Sequence, residues 1–306
     1  MAQIVQATHE PESVIALTQT QLETVEYKSF FKTIDNPRCK YPTRLDTYGC
    51  GCVFDCGYCY AKWQLGFRKH WYPLNPKVAD IEKIRKKIEK LPPGFIVRLG
   101  GMTDCFQPLE LKTGVTLETI ELLNKHRIGY LIVTKSPLIA YPYFIKAMDR
   151  ELAHIQVSVT CLNSEMAKTY EGARPAEERI KAVLTLQKQG FDVAIRLSPL
   201  IEELMDFDTI NSLGIDRCIV EFLRINGMQM KLPAMDYSKY TLYYGNCRHL
   251  PLDEKIRILS KVKIPTISVC EKVPEHYDYW QQNFNPNPAD CCNLRIPIPT
   301  AVSNGA

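Results

Sequence analysis

The densest chemistry in the chain sits at Cys50, Cys52, Cys56 and Cys59, four thiols within ten residues. Cys52 to Cys59 reads Cys52-Val53-Phe54-Asp55-Cys56-Gly57-Tyr58-Cys59, a C-x3-C-x2-C loop. Three thiolates so closely spaced can hold three irons of a [4Fe–4S] cube, because soft sulfur ligands favour such centres, and they leave the fourth iron open to a small molecule. Zinc is the rival reading. Cys50 would supply a fourth thiolate, although structural zinc sites usually use paired knuckles and no second knuckle lies nearby. A later group comprises Cys247, Cys270 and the adjacent Cys291-Cys292, which follow a Pro/Asn-rich run. Three readings apply to it: an auxiliary iron–sulfur cluster using some of these four, thiols that donate hydrogen, or simple burial. Adjacent cysteines reach one centre only with strained or bridging geometry, so three of the four are the expected ligands.

The background composition is that of an ordinary globular protein, with 306 residues, 45% hydrophobic and 24% charged. No run of about 18 apolar residues is present, so no transmembrane helix and no membrane partner are expected. The first residues lack a basic stretch followed by an apolar one, which points to a cytoplasmic protein. In that compartment the 12 cysteines stay reduced, which favours metal, cluster or redox roles over disulfides. A net charge of +4 is compatible with a nucleic-acid substrate without requiring one.

These side chains must be held by a scaffold, and its pattern is regular. Residues 77–90 place Val78, Ile81, Ile84 and Ile88 on one helical face, and 95–99 form a buried-strand run. Helices at 117–125, 143–150 and 176–189 alternate with strands at 130–134, 155–160 and 193–197. A short helix at 208–212, a strand at 218–222, a helix at 252–261 and a strand at 265–270 complete the series. Such alternation predicts an α/β fold, a partial or full parallel βα barrel of about six units. An irregular leader (1–48), a core barrel (49–235) and a Cys/aromatic-rich carboxyl-terminal extension completing the barrel mouth (236–306) are expected. Chemistry in barrels gathers at the carboxyl ends of strands, which nominates 100–104, Lys135-Ser136, 158–160, Ser198-Pro199 and the segment after Cys270.

At this point the residues resemble a family. C-x3-C-x2-C with an aromatic before the last cysteine resembles the signature of radical S-adenosylmethionine (SAM) enzymes. Six further segments resemble the spore-photoproduct-lyase-like branch: LGGMTDCFQPLE (99–110), IVTKSPL (132–138), VSVT (157–160), YEGAR (170–174), Glu178-Arg179 and RLSPL (196–200). The resemblance covers roughly residues 43–205 and implies reductive cleavage of SAM to methionine and a 5′-deoxyadenosyl radical. It implies cluster ligands Cys52, Cys56 and Cys59, and an electron donor of flavodoxin or ferredoxin type. Gly100, Gly101, Thr103 and Asp104 would line the methionine amino group, and Lys135 would pair with its carboxylate. Ser158 would reach the ribose, while Tyr58 and the Ser198-Pro199-Leu200 edge would flank adenine. Arg196 would contact the cofactor or Glu171. Glu171 and Arg174 taken alone read as a surface pair of little worth.

The resemblance also implies a hydrogen-donating cysteine where this chain has Gly101, a departure that counts against spore photoproduct repair. Cys105, four residues on, is the expected substitute. Tyr58 and Tyr60 would relay a hydrogen atom or pack against adenine and the loop. Aromatic and basic runs at 67–72, 237–244 and 276–280 suit base stacking with phosphate contacts, and equally an ordinary lid. A radical enzyme acting on a nucleic acid or nucleotide is therefore expected; the alternative substrate is a peptide or small metabolite.

Overall fold

The computed structural model of the protein describes residues 27–33, 38–67, 70–226, 232 and 235–295. Most of the expected leader (1–26 and 34–37), Arg68-Lys69 of the basic-aromatic run and the end of the extension (296–306) lie outside the described residues.

The strands are β1 (Phe30–Lys32), β2 (Thr43–Leu45), β3 (Tyr48–Gly49), β4 (Lys77–Val78), β5 (Ile96–Leu99), β6 (Gly129–Thr134), β7 (Ala153–Val159), β8 (Asp192–Leu200), β9 (Arg217–Phe222), β10 (Leu242–Tyr244), β11 (Cys247–His249) and β12 (Thr266–Val269). An 8-stranded sheet runs β1-β2-β5-β6-β7-β8-β9-β12. Every pair in it is parallel except β1 with β2. The six strands expected from sequence are β5 to β9 and β12, and helices connect them as a partial barrel requires. The carboxyl-terminal part of the leader is more regular than expected, since β1 and β2 extend the sheet; three-residue strands are too short to show periodicity.

Side chains alternate across each strand, so the sheet has two different faces. Val97, Leu99, Tyr130, Ile132, Ile155 and Val157 join the main core with the helices. The other face looks into the barrel and is unusually polar, carrying Arg44, Arg98, Gln156, Arg196 and Glu221. A second, smaller apolar cluster fills the barrel interior: Tyr41, Leu131, Cys291, Cys292 and Leu294, with Ile96, Val133 and Cys270 against it. The carboxyl-terminal segment thus enters the barrel as a plug. Tyr41 donates to the Asp290 carboxylate at 2.6 Å, and Arg38 donates to the Pro274 carbonyl at 3.3 Å and pairs with Asp278. These contacts bridge the loop before β2 to the chain after β12.

Two elements depart from the sequence pattern. The first expected helix starts only at Ile81, because the Asp80 carboxylate accepts from the amides of Glu82 (3.0 Å) and Lys83 (3.3 Å) and fixes the start. Lys77-Val78 instead pairs with Tyr48-Gly49, and Val78 is exposed. The extension contains a hairpin, β10–β11, turned by Gly245 (φ 57°) and Asn246 (φ 60°), and a helix Pro274–Asn283. Both turn residues tolerate the left-handed region, as a two-residue hairpin loop demands.

Candidate functional site

A cavity of about 410 Å³ opens at the carboxyl ends of the barrel strands. Cys52, Cys56 and Cys59 all border it, as do Gly100, Gly101, Thr103, Asp104, Lys135, Ser158, Arg196 and Pro199. Segments as far apart as the cysteine loop and β8 therefore converge as the sequence suggested. Leu200 does not line the cavity; it is buried in the main core.

The cysteine loop is tied down from two sides. The Gly57 amide donates to the Tyr170 carbonyl and the Gly172 amide to the Phe54 carbonyl, both at 2.7 Å. The fully buried Gln107 accepts from the Val53 amide at 2.9 Å and donates to the Gly51 carbonyl at 3.4 Å. Cys50 turns away: it adopts φ 56°, its carbonyl accepts from the Tyr72 amide at 2.6 Å, and its side chain does not border the cavity. Among the described residues no three Cys, His, Asp or Glu side chains converge on a single-ion site. That disfavours mononuclear zinc. In a [4Fe–4S] cube each thiolate binds a different iron, so three cavity-facing thiols from one loop, with Cys50 turned away, suit the cluster with one open iron. Burial pushes the Cys56 thiol up to about 12 and raises Cys52 and Cys59 as well, so iron binding would displace protons from all three.

Behind the loop lies a buried ion pair. Glu171 and Arg179 meet at 2.6 Å with both side chains fully buried. Glu171 also accepts from the Tyr58 hydroxyl and from Thr160 Oγ1 (3.1 Å), and Arg179 donates to the Ser158 carbonyl at 2.9 Å. Burial works against the Glu171 charge, but Arg179 and Lys135 outweigh it and lower its pKa. The surface pair expected for Glu171 and Arg174 is corrected here: Arg174, exposed just before the helix Ala176–Lys188, binds Glu178 instead. Arg196 does not reach Glu171 either; it pairs with Glu221 and donates to Gln156, both at 2.6 Å.

The Asp104 carboxylate accepts from the Lys135 amide (2.6 Å), the Phe106 amide (2.9 Å) and Thr134 Oγ1 (2.7 Å). Thr103 Oγ1 donates to the Tyr48 carbonyl. Both side chains therefore shape the strand-end loop from within. Lys135 Nζ stands 5.3 Å from the Tyr58 ring centre and 3.3 Å from the Ser198 carbonyl, and so spans the cavity wall. The Tyr60 hydroxyl donates to the Gly101 carbonyl, and the Arg224 guanidinium lies over its ring at 5.6 Å.

The expectation for Cys105 is corrected. It is 1% exposed, its thiol faces the Leu45 carbonyl at 3.8 Å, and it does not border the cavity. The vacancy at Gly101 also has a steric basis, because a Cβ there would lie 2.8 Å from Phe31 Cζ and 2.9 Å from Arg44 Cβ. Gly101→Cys should therefore destabilise the protein by about 1–3 kcal/mol through overpacking. Urea unfolding checks this, and an unchanged midpoint would show that Phe31 and Arg44 yield freely.

Sequence reasoning missed Arg98, Glu221, Arg224 and His249 on the cavity wall. A lone charged residue inside each strand run, Arg98 in 95–99 and Glu221 in 218–222, was the available signal. Burial lowers the His249 pKa to about 4, which keeps this ring neutral near pH 7. The late cysteines separate: the hairpin carries Cys247 to the cavity, whereas Cys270, Cys291 and Cys292 do not border it.

These features define a parallel βα-barrel enzyme whose reaction cavity is fronted by an iron–sulfur type cysteine loop. The radical SAM superfamily profile matches residues 47–210, and the chain belongs to that superfamily. Membership implies a radical SAM enzyme with a [4Fe–4S] cluster and SAM as cofactors. An uncharacterized protein of Methanocaldococcus jannaschii is 26% identical over 170 residues, 52% of this chain; the matched region spans 61% of that relative. Spore photoproduct lyase complexed with dinucleoside spore photoproduct shares the fold at a TM-score of 0.56 and 16% identity, over 82% of this chain and 76% of that one. A variant of that lyase with bound AdoMet and the same dinucleoside gives 0.54 and 17%, over 80% and 76%. No helix among the described residues is long and apolar enough to cross a membrane.

Proposed function

We propose that this enzyme directs a 5′-deoxyadenosyl radical at a phosphate-bearing nucleotide or nucleic acid, as a repair or base-modifying enzyme of the cytoplasm. Cys52, Cys56 and Cys59 would hold the cluster, which when bound supplies the electron that cleaves SAM. Lys135 would bind the methionine carboxylate as a compact cation, and the Gly100-Gly101 backbone would admit the methionine amino group closely. Ser158 would face the ribose and Pro199 the adenine. The reductant would be a flavodoxin or ferredoxin type protein.

The observation that carries the substrate assignment is the remainder of the cavity wall. Beyond the residues assigned to SAM it presents Arg224 and Lys272 together with Trp63, Trp71 and Tyr244. Cations suited to phosphate beside aromatic faces suited to bases form a nucleic-acid-like lining. That the fold neighbour binds a dinucleoside is consistent with this reading.

Anaerobic protein reconstituted with iron and sulfide should form 5′-deoxyadenosine when given SAM and dithionite. Single-stranded oligonucleotide binding, followed by anisotropy, should weaken with salt, with a log–log slope of roughly −1.4 for two phosphate contacts. Salt-independent binding, or none, would transfer the assignment to a peptide or small metabolite and leave the SAM chemistry standing. Deuterated candidate substrates that pass label into 5′-deoxyadenosine would then name the compound.

A further inference from the structure

Cys39 lies in the loop before β2, Cys270 follows β12, and Cys291 and Cys292 belong to the carboxyl-terminal plug. The fold brings these three segments together beneath the cavity floor. Cys270 packs against the buried cluster that contains Cys291 and Cys292, and Tyr41, two residues after Cys39, belongs to the same cluster. The plug is fixed in register by dedicated bonds. Asp290, 1% exposed, accepts from the Cys292 amide at 2.9 Å and the Leu294 amide at 3.2 Å; Ser268 Oγ donates to the Cys291 carbonyl at 2.9 Å. Asn285 locks the adjoining turn to Val269 through both ends of its amide, at 2.7 and 3.0 Å. All four cysteines are free thiols.

Guanidinium groups face these thiols. Arg44 donates to Cys39 Sγ at 3.8 Å, and Arg98 stands opposite Arg44 in the β2–β5 register. Cys270 and Cys292 both feel the Arg196 charge. Arg196 has Glu221 as its counter-ion, but among the described residues neither Arg44 nor Arg98 has an ion-pair partner. Asp46, the nearby carboxylate, is committed to the amides of Gly101 and Met102. Arg44 is 9% exposed, and its Nη1, like Arg98 Nε, is buried without an acceptor. Two like charges side by side with orphaned donors are costly unless an anionic group meets them. A neutral disulfide would not.

We propose that Cys39 and Cys270, with the Cys291-Cys292 pair, bind a second iron–sulfur cluster inside the barrel, and that Arg44 and Arg98 balance its negative charge. The donor set is all soft sulfur, and thiolate-ligated clusters carry net negative charge, so both ligands and cations are accounted for. Cys247 is not part of it, since the hairpin holds that residue at the cavity.

The test uses the full chain, reconstituted anaerobically with ferrous iron and sulfide. The C52A/C56A/C59A variant should retain iron and acid-labile sulfide, with a dithionite-reducible signal in electron paramagnetic resonance. Wild type should exceed the roughly four irons of one cluster by about two to four, and C39S/C270S should return to about four while still cleaving SAM. In Arg44→Gln the second signal should persist at a lower midpoint potential, because a positive charge beside the cluster is lost. A folded triple variant devoid of iron, with wild type holding about four and forming 5′-deoxyadenosine, would overturn the second cluster alone. Wild type that binds iron yet never cleaves SAM would instead strike at the reading of the first site. Retention of zinc but not iron by the triple variant would also overturn the proposal. Thermal melting of each variant separates unfolding from ligand loss.

Discussion

Cys56→Ala protein, reconstituted anaerobically, forms 5′-deoxyadenosine well over about 100-fold more slowly than wild type, exceeding what the loss of a mere supporting residue costs at a metal site. Cys56 is the middle thiol of a loop fixed at both flanks, by Tyr170 on the Gly57 side and by Gly172 and Gln107 on the Phe54 and Val53 side. The chain near residue 56 thus has little freedom to offer another donor. Cys50, the nearest spare thiol, faces away from the cavity with its backbone pinned to Tyr72. Cys50→Ala should accordingly leave iron content and SAM cleavage near wild type, whereas a four-thiol zinc knuckle would lose its metal in both variants. Equal loss of iron in Cys50→Ala and Cys56→Ala would sink the three-ligand assignment. The two variants together read the geometry of the loop rather than its composition.

The parts legible in the sequence are those governed by local pattern. The spacing of Cys52, Cys56 and Cys59 is a short-range constraint, and the strands β5 to β9 and β12 are continuous apolar runs between helical periods. The parts that escaped depend on contacts the chain makes across itself. Glu171 finds Arg179 eight residues on, in the following helix, while Arg174, the nearer partner in sequence, pairs from just before that helix with Glu178. The segment of Cys39 meets the plug only because Tyr41 reaches Asp290 across the barrel, a closure no periodicity announces. Cys247 looked equivalent to Cys270 in sequence and is separated from it by a hairpin whose Gly245-Asn246 turn was readable in principle. Thr103 and Asp104 border the cavity, yet their polar atoms are taken up by the loop around it. Burial and direction distinguish a residue that touches a ligand from one that positions its neighbour, and a linear pattern carries neither.

Arg179→Met should destabilise the protein by about 3–5 kcal/mol at neutral pH, the cost of leaving one member of a buried pair uncompensated. Methionine fills much of the arginine stem's volume, so the lost energy reports the charge more than a cavity. Arg174→Met, at an exposed pair, should change stability by no more than about 1 kcal/mol. The pH dependence gives the sign. In the wild type the folded pKa of Glu171 lies below its ordinary value, since Arg179 and Lys135 outweigh burial. Its contribution is therefore fully present above the unfolded pKa and is lost as pH falls through the folded one. Without Arg179 the carboxyl has lost its main counter-charge, burial raises its pKa, and the variant is eased by protonation. The stability gap between wild type and Arg179→Met should thus be widest near neutrality and shrink on acidification. Urea midpoints measured across that range decide it; a gap that stays constant or widens toward acid would mean that Glu171 is not held as a carboxylate. Because the Tyr58 hydroxyl rests on Glu171, the same substitution should also loosen the ring facing Lys135. SAM binding should then weaken even under conditions where the protein is fully folded. A charge pair buried behind the cavity thereby links the stability of the barrel to the placement of the residues that would hold the cofactor.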